Sequence, residues 1–198
     1  MKATSRLDSA QALGFPVADE PLAVDLADTL ITVTDPSTDL LPDEATCRAW
    51  WNLQLDRLPA GAGAPPRSET VALRQAVRDI LDTQIDARAP ARASIERINL
   101  AAAAVAYTRQ LTRTETGWAA TTVLSTTHQH GHELALAAVA DSLIDVLAGA
   151  DHQRLRRCAN PTCSMLFLAH DARRRYCTQN ICGNRVRAAR HYHRNRPT

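Results

Sequence analysis

Lysine is nearly absent from this sequence: Lys2 is the only one among its 23 basic residues. Aromatic residues make up only 4%, so the core has to be built mainly from aliphatic side chains. No run approaches the roughly 18 apolar residues needed to cross a bilayer, and "MKATSRLDSAQALGFPVADEP" has no apolar stretch of the kind that makes a secretory signal. A cytoplasmic protein is therefore expected. There thiols stay reduced, and clustered cysteines bind metal more often than they pair. Catalytic signatures are missing too: there is no GxSxG, Walker loop, GxGxxG or HExxH. "HYHRN" superficially suggests a nuclease, but residues 151–198 offer only Asp151 and Asp171 as acids. The expectation is a protein that is not an enzyme.

Charge divides the chain in two. Residues 1–150 hold 12 Lys/Arg against 19 Asp/Glu, a net −7, whereas residues 151–198 hold 11 Arg against two Asp, a net +9. A basic end on an acidic body is the asymmetry of a chain whose one end meets a polyanion. A choice of Arg over Lys, with much Ala, also follows from genomic base composition, so the stronger signal is where the charge sits.

At 198 residues the chain suits one domain plus a small module. Residues 1–20 read as a flexible N-terminus, 21–150 as a regulatory domain and 151–198 as a basic module. "PLAVDLADTLITV" (21–33) reads as a strand running into a helix. A short helix follows Pro42, with Trp50, Leu53 and Leu58 on one side. "PAGAGAPPRS" is a loop, and Ser68 is the expected N-cap of a helix whose stripe is Leu73, Val77, Ile80, Leu81 and Gln84. A helix over 92–104, a β-hairpin turning at 115–117 and a helix with Leu136, Val139, Leu143 and Leu147 buried come next, the last one capped near Gly149. Lone Cys47 reads as a small core residue. "HQHGH" (His128, His130, His132) reads as a polar loop and first helical turn; an effector or second-metal site is the alternative.

Residues from 155 onward have too few apolar side chains to hold a fold alone, and a unit of roughly 40 residues needs a staple. Four of the five cysteines supply one, spaced Cys158-x4-Cys163-x13-Cys177-x4-Cys182. Two close pairs across a longer excursion form the pattern of a closed four-thiolate zinc site, with a redox pair or another metal as alternatives. His170, His191 and His193 are possible substitute ligands, though four Cys already fill the shell. Asn160-Pro161 turns the chain between the first two thiols. "SMLFLAHDARRRY" reads as a hairpin turning near Asp171, and a helix begins at about Cys182. Knuckle, hairpin and helix together describe a treble clef. The fold class expected is α+β: a mainly helical N-terminal domain with a small hairpin or sheet, then a treble-clef-like four-cysteine zinc finger.

The run "CANPTC … YCTQNICGNRVRAARHYHR" resembles the CGNR zinc-finger family, whose signature falls here on Cys182, Gly183, Asn184 and Arg185. "LAVDLADTL" resembles the "LDFxNTL"-like opening of the domain usually found with that finger, described as a putative stress-induced transcription regulator. The resemblance implies Cys158, Cys163, Cys177 and Cys182 as ligands of one structural Zn²⁺, and Arg185 with the following helix as the nucleic-acid face. Three positions depart from the family pattern: Tyr176 replaces a common Trp, Leu168 a frequent acid, and Asp28 the usual Asn.

On this reading the candidate DNA contacts are Arg173, Arg174, Arg175, Asn184, Arg185, Arg187, Arg190, His191 and Arg194, with double-stranded DNA as partner. Asp25, Asp28 and Thr29 are the candidate contacts for a small-molecule effector. A single finger reads little sequence, so a homodimer on two half-sites is expected, with no membrane involved. The rival readings are a protein- or RNA-interaction adaptor with a structural finger, and an uncharacterised N-terminal enzyme that the finger localises.

Overall fold

The computed structural model describes residues 6–16, 19–115, 117–124, 131–178 and 182. Within the stretch expected to be loose, Arg6–Ala12 form helix α1, and Ala10 and Phe15 enter the core. Helix α2 (Leu22–Ala27) precedes the two-residue strand β1 (Leu30–Ile31), which reverses the expected order of strand and helix. The reason lies in Pro21. Its ψ of 146° breaks the chain direction, and its carbonyl then accepts the Val24 and Asp25 N–H groups that open the helix. All six residues of α2 are buried, as befits a helix enclosed on every side.

Strand β1 pairs antiparallel with β2 (Thr38–Asp39), and α3 (Glu44–Leu53) follows. Asp43 caps α3 by accepting the Thr46 N–H at 2.8 Å. Trp50 and Trp51 meet edge to face at 4.9 Å, and the Trp51 indole N–H donates to Thr70 Oγ1 at 3.0 Å. Cys47 lies beside them, fully buried.

Helix α4 (Arg67–Ile85) starts one residue before the expected Ser68 cap, with Pro66 at the N-cap position. Its first N–H is satisfied from another helix: the Glu44 carboxylate accepts from Arg67 N at 3.0 and 3.1 Å. Leu73, Val77, Ile80 and Leu81 are buried, and Gln84, which ends the stripe, is exposed.

Helix α5 (Arg92–Ala103) leads into the hairpin β3 (Tyr107–Thr114) and β4 (Gly117–Leu124), in register from Tyr107↔Leu124 to Thr114↔Gly117. Helix α6 (Gly131–Ala148) closes the body, burying Val139 and Leu143, with Leu136 and Leu147 partly covered. The loop at 59–66 packs on its start. Gly63 N–H donates to Gly131 O at 2.9 Å, and a Cβ on Gly131 would stand 2.7 Å from Gly61 O. Among the described residues no helix is long and apolar enough to cross a membrane.

A 3-10 turn (Ala150–Arg154) leads to β5 (Leu155–Arg157), which pairs antiparallel with β6 (Leu166–Leu168). The hairpin of the cysteine module is therefore formed with the strand before the first cysteine, and 169–178 contains no strand. Burial explains the choice. Leu155, Leu166 and Leu168 join the core of the N-terminal body, whereas Phe167 turns to the other side and packs with Met165, Ala169 and the cysteines. Strand β6 thus belongs to two cores at once. The helix expected from about 182 lies outside the described residues.

Candidate metal centre

The loop from β5 to β6 carries the first two thiols. Asn160 shapes it: its Oδ1 accepts from Thr162 N and Thr162 Oγ1 at 3.2 and 3.0 Å, and its carbonyl accepts the Cys163 N–H at 2.9 Å. Its Nδ2 donates to Cys182 Sγ at 3.3 Å, so one residue holds the turn and reaches a sulfur from the other pair. The Cys158 N–H donates to Met165 O and the Ala159 N–H to Arg175 O, both at 2.9 Å, which ties the loop to the segment bearing Cys177.

These bonds bring the sulfurs of Cys158, Cys163, Cys177 and Cys182 within 4.8 Å of one another. Cys163 Sγ and Cys177 Sγ stand 3.9 Å apart, far longer than the roughly 2.05 Å of a disulfide. A tetrahedral ion with bonds of about 2.3 Å to sulfur sets its ligands about 3.8 Å apart, so the spacing fits zinc. The thiols themselves are in conflict over protons. Hydrogen bonds from Cys163 and then Cys177 pull Cys158 down to about 2, and the same sharing pushes Cys163 up to about 12 and Cys177 upward as well. A dication lets all four stand as thiolates together. Four sulfurs leave no open coordination position, so the ion is structural.

The module is bolted to the body by side chains to which sequence reasoning gives no such role: it offers Asp28 as a candidate effector contact and does not single out Glu20, Arg78 or Arg157. Asp28 accepts the Leu166 N–H, and Glu20 Oε2 accepts the Leu168 N–H at 2.9 Å. Arg78 donates to Ser164 O at 2.8 Å while pairing with Asp82 at 2.7 Å. Arg157 of β5 reaches Asp82 at 2.8 Å and Asp86 at 3.1 Å. Burial pushes the Asp28 carboxyl well above the ordinary range; the Leu166 N–H and Arg78 oppose that rise, while Asp25 and Glu20 add to it. The Asp86 carboxyl is held low by hydrogen bonds from Arg157 and Arg88.

The arginines before Cys177 separate into two kinds. Arg173 and Arg175 are exposed. Arg174 is committed inward: it pairs with Glu20 at 2.8 Å, donates to Leu168 O at 3.0 Å and to Cys177 O, and stacks 4.5 Å over the Phe167 ring. Part of the positive charge at this end therefore answers the negative charge of the body. A body with excess acid was the signal for these partners. Asn184, Arg185, Arg187, Arg190, His191 and Arg194 lie outside the described residues, as do His128, His130 and His193. His170 is exposed and bonded to Arg154. Among the described residues the four cysteines are the group close enough to share a metal.

Asp25, Asp28 and Thr29 are all buried and bonded within the protein. Asp25 pairs with Arg57 at 2.6 Å, and Thr29 Oγ1 accepts from Arg74 at 3.1 Å. An open cleft of ≈ 610 Å³ lies nearby, lined by Arg57, Asp56, Asp141, Asp145 and Asp151 among others.

Residues 20–150 match the family model described as "Putative stress-induced transcription regulator" (ABATE), and residues 154–195 match the CGNR zinc finger. No curated protein matches the chain.

Proposed function

Given that the chain belongs to the family of putative stress-induced transcription regulators and carries a CGNR zinc finger, we propose that it is a cytoplasmic regulator whose finger binds double-stranded DNA. Zinc is its structural cofactor. Both matched families are described by regulation and by metal binding, neither by catalysis.

The observation that carries this reading is the division among the arginines. Arg157 and Arg174 are taken up by acids of the body, while Arg173 and Arg175 stand exposed beside the cysteine cluster. Cys158, Cys163, Cys177 and Cys182 hold the zinc and shape the module. Arg173 and Arg175 contact phosphates, with Arg185, Arg187, Arg190, His191 and Arg194 continuing the surface, and Asn184 offers a base-edge contact. None of the three candidate effector residues lines the cleft, but Asp25 pairs with Arg57, which does, and that cleft is the entry for a small effector.

Selection of bound sequences from random duplex DNA tests the reading, with intact protein and with Cys182→Ser in parallel. An enriched motif that is lost in the variant supports it. Salt-sensitive binding with no enriched motif would make the protein an interaction adaptor instead.

A further inference from the structure

Strands β3 and β4 pair with each other, and among the described residues no third strand joins either edge. A two-stranded ribbon alone is marginally stable in water, and an open edge is a template for another chain. The two edges differ in chemistry. Strand β3 reads YTRQLTRT and carries Arg109 and Arg113; β4 reads GWAATTVL and has neither a charge nor a proline. Charges and prolines are the usual means of keeping edges apart, so β4 is the unguarded one. The pleat puts Leu111, Arg113, Trp118 and Ala120 on one face. There Leu111 is 72% exposed and Trp118 67%, with the Arg113 guanidinium 5.0 Å above the Trp118 ring.

We propose that β4 is the seam of a homodimer. Two copies of β4 pair antiparallel about a two-fold axis near Ala120 and Thr121, giving one four-stranded sheet in the order β3–β4–β4–β3. Charge selects a second copy as the occupant. Across a two-fold axis residue i of one copy meets j of the other and j meets i, so β4 meets only β4 residues and brings no charge to repel its twin. Arg109 and Arg113 fall on the outer strands. An acidic partner would be drawn to β3, and DNA phosphates find no cation on β4. Every second residue of β4 turns its backbone N–H and C=O outward, so the pairing satisfies both chains alike. The joined sheet sets Trp118 and Leu111 of both copies along one continuous apolar face. The inference rests on no property of the finger, yet it supplies the two copies that paired DNA half-sites require.

The test is sedimentation velocity on the full-length, zinc-loaded protein without DNA, so that its outcome is separate from that of DNA selection. Wild type is expected as a dimer. Ala120→Lys and Ala120→Glu each place like charges at the axis and weaken association by more than about 100-fold. An equimolar mixture of the two variants restores a dimer with one chain of each, seen by native mass spectrometry. Circular dichroism and zinc content confirm that each variant is folded. A wild type still monomeric at about 100 μM, a variant that dimerises as tightly as wild type, or folded variants that stay monomeric when mixed would overturn the proposal.

Discussion

Asp28 accepts the backbone N–H of Leu166 through both carboxylate oxygens, at 2.9 and 3.1 Å, between residues 138 apart in sequence. One acid of the N-terminal body thereby holds a strand of the zinc module, at the position where the resemblance of "LAVDLADTL" implies an Asn. Burial raises its pKa in the folded protein. Between the ordinary Asp value of about 3.9 and that raised value, the folded state binds more protons than the unfolded. The stability contributed is present at low pH and is lost as pH rises through the folded pKa. Zinc-saturated wild type is therefore expected to lose stability relative to Asp28→Asn as pH rises above about 4. Urea unfolding of both proteins across pH gives the comparison, and a constant difference would contradict it. Asp28→Leu, which leaves the Leu166 N–H with no acceptor, is expected to cost about 1–3 kcal/mol.

Arg173, Arg174 and Arg175 are adjacent in sequence but are expected to fail differently. Arg174→Ala leaves Glu20, 4% exposed, without its ion-pair partner and should destabilise the protein by about 3–5 kcal/mol. Arg173→Ala and Arg175→Ala should leave the unfolding midpoint within about 0.5 kcal/mol of wild type while weakening DNA binding. Thermal melts beside fluorescence-anisotropy titrations separate the two classes. Equal destabilisation by all three would show that exposed and committed arginines are not distinct.

Metal analysis should find one zinc per chain, lost in Cys182→Ser. Because Leu166 and Leu168 are part of the body's core, chelation should lower the melting of the body as well, in one transition. A body that melts unchanged after zinc removal would sink this coupling. Leu166→Ala should cost about 2–5 kcal/mol and lower zinc affinity together with stability.

Nine net positive charges at residues 151–198 overstate what DNA meets. Arg157 and Arg174 are spent on the body, and four thiolates with Zn²⁺ remove about two more charges. Contact with about four phosphates is expected, giving a log K against log salt slope near −4. A slope near zero in equilibrium titrations would remove the electrostatic reading.

Much of the local structure was legible because short-range rules decide it. The Leu73-to-Leu81 stripe, the hairpin turning after Thr114 and the Asn160-Pro161 turn all follow from neighbours within a few residues. The cysteine spacing named the four sulfurs that the structure gathers. What escaped depends on distant partners. The start of α4 is set by Glu44 rather than by Ser68, and the partner of β6 by the hollow that receives Leu166 and Leu168. Likewise nothing local to "ARRRY" distinguishes Arg174 from its neighbours; only Glu20, 154 residues away, does so. The acid excess of residues 1–150 was visible, but composition cannot say which acid meets which base.

Strand β6 is a party wall between two rooms, and a party wall has no clean line for demolition. Cutting the chain after residue 150 would not trim a pendant module; it would open the side of the house. Nor can such fingers be traded freely among relatives, as beads on a string can. A graft needs hollows for its two leucines and acceptors for their amides in the receiving body. The two halves of this chain are therefore expected to have changed in step.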